Sequence, residues 1–67
     1  MKDGDIVKFP SVLLPIDINI LAKGGRYVVR ENKIWLEYGG TLQEPTARLE
    51  RGDISDFKEY KIMGRAD

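Results

Sequence analysis

The chain has 67 residues, with 11 Lys and Arg balanced by 11 Asp and Glu, and it contains no His and no Cys. These counts exclude a disulfide framework, thiolate chemistry, an ordinary zinc site and any Ser-His or Cys-His nucleophile pair. Zero net charge also removes the electrostatic footprint of a typical nucleic-acid binder.

The length allows one domain, residues 1–67, around one small core. A domain of this size buries only about 60% of the surface of its unfolded chain, so it is marginal unless something staples it. The 42% hydrophobic content is near the globular norm and argues against disorder. Marginal size favours a homodimer or a larger partner.

In chain order, residues 5–9, Asp-Ile-Val-Lys-Phe, read as a short strand. Residues 16–20 alternate strictly, with Ile16, Ile18 and Ile20 on one face and Asp17 and Asn19 on the other. That period of two predicts a strand with one buried face, and Pro15 stands where a strand start tolerates it. The apolar stretch at 12–22 is broken by Pro15, Asp17 and Asn19, and falls short of the ~20 residues a membrane span needs. The N-terminus shows no signal-peptide apolar region, so the expectation is a cytoplasmic protein with no membrane partner.

The strongest signal is a hairpin over 26–38. If the chain turns at Glu31-Asn32, Val29 opposes Ile34, Tyr27 opposes Leu36, Val28 opposes Trp35 and Arg26 opposes Glu37. One face then carries Tyr27, Val29, Ile34 and Leu36. The other carries Arg26, Val28, Trp35 and Glu37, with Arg30 and Lys33 near the tip. Such matching of cross-strand pairs contributes a few tenths to ~1 kcal/mol each. Glu31 is not a favoured residue for a two-residue turn, and a four-residue loop keeps the same register.

Further on, residues 46–50 fit a strand, while Thr41-Leu-Gln-Glu44 has capping-box spacing for a short helix, which Pro45 opposes. Residues 53–63 also read two ways. As a strand over 58–63, the favoured reading, Tyr60 and Ile62 point inward. As a helix, Ile54, Phe57, Tyr60 and Met63 recur every third residue, Asp53 or Ser55 caps and Gly64 terminates. The tail 65–67 is expected to fray. The pairs Gly24-Gly25 and Gly39-Gly40 match no phosphate-binding loop and read as turns.

The opening Lys2-Asp3-Gly4-Asp5-Ile6-Val7-Lys8-Phe9 resembles the first strand of many SH3-like barrels, where a Gly-Asp turn leads into an alternating strand. The later order of strand, hairpin, strand, strand is similar to that fold. Gly24-Gly25-Arg26-Tyr27-Val28 and Pro45-Thr46-Ala47-Arg48-Leu49-Glu50 resemble pieces of small bacterial barrel proteins carried by mobile elements or phages. This chain lacks the Cys that those proteins often carry before the middle strand. The resemblance implies a strongly bent sheet of five or six strands and no particular activity, because such folds serve many unrelated roles.

Four constellations bear on function. Lys23, Arg26, Arg30 and Lys33 interleave with Tyr27 and Trp35, a composition that can hold phosphates and stack bases. Residues 1–34 hold six basic and four acidic groups, and residues 35–67 hold five and seven, so the chain is mildly polarised. Trp35 beside Val28 on the outward face, ringed by Arg side chains, has the composition of a protein-binding hot spot. The alternatives for that pair are a second small core under residues 12–14 or sheet curvature that turns the face inward. Asp53, Asp56 and Glu59 lack the spacing and the mid-loop Gly of a calcium site. Neither Ser11 nor Ser55 sits in a nucleophile elbow.

The reading is a mainly β, SH3-like small barrel of five or six strands, with a short helix in the C-terminal third as the alternative there. It is a non-catalytic binding or accessory module, with no cofactor and no metal. It would recognise another protein, or a second copy of itself, through the hairpin face: Val28, Arg30, Lys33 and Trp35. Nucleic-acid binding through the same face is the alternative.

Overall fold

A computed structural model describes residues 1–42 and 52–66. The strands β1 (Asp5–Lys8), β2 (Arg26–Arg30), β3 (Lys33–Tyr38), β4 (Thr41–Leu42) and β5 (Lys61–Arg65) form one antiparallel sheet in the order β4-β3-β2-β1-β5. A six-residue helix, α1 (Asp17–Ala22), lies between β1 and β2, and a 3-10 turn (Ile54–Asp56) precedes β5. The protein is mainly β. Among the described residues the sheet is open, with β4 and β5 as its edges.

The central hairpin adopts the register its side chains prescribe: Arg26 with Glu37, Tyr27 with Leu36, Val28 with Trp35, Val29 with Ile34 and Arg30 with Lys33. The turn is the tight two-residue form, with positive φ at both Glu31 (52°) and Asn32 (62°). This is the primed geometry that matches strand twist. A second tight turn, Gly39-Gly40 (φ 64° and 82°), reverses the chain from β3 into β4.

Alternation sends Val7, Tyr27, Val29, Ile34 and Leu36 to the inner face, where they form the core with Phe9. Leu13, Ile20, Leu21, Ile54 and Phe57 pack over them. The Phe9 ring meets Tyr27 edge-on at 5.5 Å between centroids and Phe57 in a tilted contact at 4.8 Å.

Residues 16–20 depart from the strand expected there, since 17–22 are helical. In a helix, Asp17, Ile20 and Leu21 share a face at i, i+3 and i+4, and that face meets the sheet, with Asp17 fully buried. Ile16 and Ile18 are thrown to the surface, 53% and 55% exposed. The alternation was a coincidence of five residues, too short to separate a period of two from 3.6.

The segment after residue 52 combines both readings of 53–63. Ile54 and Phe57 sit at one-turn spacing on a 3-10 turn and pack inward, and Asp53 caps it. The strand follows at 61–65 rather than 58–63. Ile62 takes the inner face opposite Val7, as expected, but stays 46% exposed, because β5 is an edge strand among the described residues. Tyr60 precedes β5, is 41% exposed and is not in the core, against expectation. Gly64 does not end a helix. It lies within β5 next to a bulge, opposite Ile6, while Ile62 opposes Val7. The expected strand at 46–50 and most of the rival helix from Thr41 lie outside the described residues; Thr41 and Leu42 themselves are strand.

The tail is held down as far as Ala66, against the expectation of fraying. Arg65 pairs with the buried Asp5 at 2.8 Å and donates to the Asp3 carbonyl, and the Ala66 amide donates to the Gly4 carbonyl at 2.7 Å.

Candidate functional site

Residues opposite one another in a ladder share a sheet face. On the outer face, the registers therefore set three rows across the strands. The middle row is apolar: Trp35 on β3, Val28 on β2, Ile6 on β1, then Gly64 on β5. The row at the hairpin tip is basic, Arg30 opposite Lys33. The row at the other end holds Arg26 opposite Glu37 and Lys8 opposite Lys61.

The four residues expected to form a partner surface therefore share one face, but they are not equally available. Val28 is fully buried between Ile6 and Trp35, so it supports the face rather than offering surface. Trp35 is half-buried, and its indole reaches across to β2, donating from Nε1 to the Arg30 carbonyl at 2.9 Å. That bond satisfies its one polar group and fixes the ring's direction. Arg30 and Lys33 are also half-buried. Arg26 is engaged by Glu37 at 2.8 Å, as its cross-strand position requires.

The hairpin tip is braced from the 3-10 segment. Ile34 donates its amide to the Gly52 carbonyl (3.1 Å), and Ile54 donates to the Asn32 carbonyl (3.3 Å). The Asp53 carboxylate accepts from the Ser55 amide and hydroxyl and from Asn32 Nδ2. These bonds, that of the Ser55 amide foremost, hold its carboxyl below the ordinary value of 3.8. Asp53 is thus committed to capping. Among the described residues no group of acidic side chains is arranged to hold a metal ion, and no helix is long and apolar enough to cross a membrane.

Two adjoining clefts flank Phe9 and Pro10. One, about 500 Å³, runs between β1, Val12, Leu21 and Tyr27 and is largely apolar. The other, about 610 Å³, lies at the end where β5 begins and is lined by Lys8, Lys58 and Lys61 with Tyr60 and Met63. Neither was foreseen from sequence. Lys8 and Lys61 are far apart in the chain, and only the β1–β5 register brings them together. No family model, curated protein or solved structure matches this chain.

Proposed function

We propose that the protein is a non-catalytic binding module of SH3-like barrel type that recognises another protein, or a second copy of itself, through the outer face of the hairpin. The spatial order β5-β1-β2-β3-β4, with a 3-10 turn just before the last strand, supports the barrel type. Trp35 is the anchor, Val28 the buried support that keeps the indole on the surface, and Arg30 and Lys33 the polar rim.

The observation that carries this reading is the tethered indole. Its Nε1–Arg30 bond preorganises a large aromatic surface beside two cations, so little rotamer entropy is lost on contact. The test is a comparison of wild type with Trp35→Ala and with Arg30→Glu/Lys33→Glu, by sedimentation and by cross-linking in extract. Loss of self-association or of specific cross-links in both variants supports the reading, and unchanged behaviour in both ends it.

Nucleic-acid binding through the same face draws support from the two like-charged ladder pairs, Arg30 with Lys33 and Lys8 with Lys61. It separates by salt: phosphate contacts weaken steeply as salt rises, and a Trp-centred contact does not.

A further inference from the structure

Lys8 and Lys61 stand directly opposite each other on β1 and β5. Like charges in that position weaken a sheet. Both are exposed, and neither has an ion-pair partner among the described residues; the same holds for Lys58. All three line one cleft, against a single acidic lining residue, Glu59, in a chain whose charges balance overall. The cleft's remaining walls are apolar or aromatic: Phe9, Pro10, Tyr60 and Met63, of which Tyr60 is 41% and Met63 57% exposed. The Tyr60 hydroxyl accepts from the Met1 amino group at 3.3 Å, and Tyr60 lines the cleft.

We infer that this cleft binds an extended acidic peptide segment whose carboxylates sit between the lysines while an apolar side chain lies against Tyr60, Met63 and Pro10. Charge complementarity selects the occupant: a cation pair that costs the sheet stability is relieved when a carboxylate bridges it. The apolar walls distinguish a peptide from a bare anion. None of Val28, Arg30, Lys33 and Trp35 lines this cleft, and Trp35 and Lys33 lie on β3, two strands from β1 and three from β5.

The experiment uses the full chain and a fluorescein-labelled peptide of about twelve residues alternating Glu and Leu. A Lys/Leu peptide and an oligo-dT of similar length are measured beside it at ~50 mM salt, where electrostatic binding is strongest. The expected result is saturable anisotropy for the acidic peptide alone. Amide shifts should concentrate at residues 8–10 and 58–63. Lys8→Ser/Lys61→Ser should weaken binding about tenfold, the loss expected when two exposed charge contacts go, with no fall in melting temperature. Trp35→Ala should leave binding intact, which separates this site from the hairpin reading. Absence of binding, shifts centred on residues 30–35, or equal binding of the oligonucleotide would overturn the inference.

Discussion

Tyr27 donates its hydroxyl hydrogen bond to Asp17 Oδ2 at 2.7 Å, with the carboxylate fully buried and the tyrosine only 4% exposed. The same tyrosine oxygen accepts the Leu13 amide at 3.0 Å, and the same carboxylate oxygen accepts the Leu14 amide at 3.3 Å. One side-chain pair therefore satisfies two backbone donors ahead of α1 and pins that connection to β2. A buried polar group is tolerable only with such partners.

Tyr27→Phe keeps the ring and removes the oxygen, which leaves the Leu13 amide without its acceptor and takes a donor from Asp17. Leaving buried polar groups unpaired costs about 1–3 kcal/mol each. We expect Tyr27→Phe to destabilise by about 2 kcal/mol in urea melts. In a double-mutant cycle with Asp17→Asn the two losses should fall well short of additive. Additive losses would show that the pair does not act as a unit.

This pair also explains what the sequence could and could not disclose. The hairpin was legible because ten residues of alternation agreed with a charge match, Arg26 opposite Glu37, and any slip breaks both. Helix α1 was hidden because Ile16, Ile18 and Ile20 mimic a strand, and the residue that decides the matter, Asp17, looks like a solvated polar position until Tyr27 is placed over it. Ile62 misled because alternation reports which face a residue takes, not how deeply an edge strand buries it, and Tyr60 because the strand starts only at Lys61. Of the candidate surface, Trp35, Arg30 and Lys33 could be read from local register. The Lys8–Lys61 pair could not, since nothing local to either lysine marks β1 and β5 as neighbours.

The turn at Glu31-Asn32 carries a removable strain. A left-handed conformation costs a β-carbon-bearing residue roughly 1–2 kcal/mol, and Asn least. The Glu31 contact of note is its amide, which donates to Asp3 Oδ1 at 2.9 Å and survives substitution. Glu31→Asn should therefore stabilise the protein by about 0.5 kcal/mol, read as a rise in denaturation midpoint with unchanged slope. Asn32→Gly should give less, because it forfeits the Nδ2 bond to Asp53. A fall in stability for Glu31→Asn would mean that the Glu31 side chain contributes to the native state.

Asp53 gives the fold an acid-sensitive brace. Its carboxyl is held below 3.8 by the Ser55 amide bond and then the Ser55 hydroxyl, with Lys33 and Asn32 adding to the effect. A folded-state value below the unfolded one means the contribution is fully present above the unfolded value and is lost as pH falls through the folded one. Asp53→Asn should lower the melting temperature near pH ~7, and the gap to wild type should close in acid below about pH 4. The same variant should speed amide exchange at Ser55, which caps onto Asp53, and at Ile54, whose bond to the Asn32 carbonyl holds the 3-10 turn to the hairpin. A gap that stays constant across the acid range would exclude the carboxylate's charge as the source.

Gly25 marks where α1 meets the start of β2. Its amide donates to the Ile20 carbonyl at 2.8 Å, and a β-carbon placed there would lie 2.5 Å from Ile20 Cγ2 and 2.7 Å from that same carbonyl oxygen. The side-chain methyl could move, but the carbonyl belongs to the helix backbone, so relief requires α1 to lift from the sheet. Overpacking of this kind costs typically 1–3 kcal/mol, and we expect Gly25→Ala to fall in that range. The damage should be local. Lifting α1 pulls Ile20 and Leu21 from the core and lengthens the Tyr27–Asp17 bond, so protection from hydrogen exchange should drop at residues 13–25 while the β2–β3 ladder keeps its own. Gly24 is the control, for it has open space around a β-carbon and would register only the strain of its φ of 102°. If Gly24→Ala and Gly25→Ala lose the same stability with the same exchange pattern, backbone conformation alone governs this turn and the close packing against Ile20 is not what holds α1 in place.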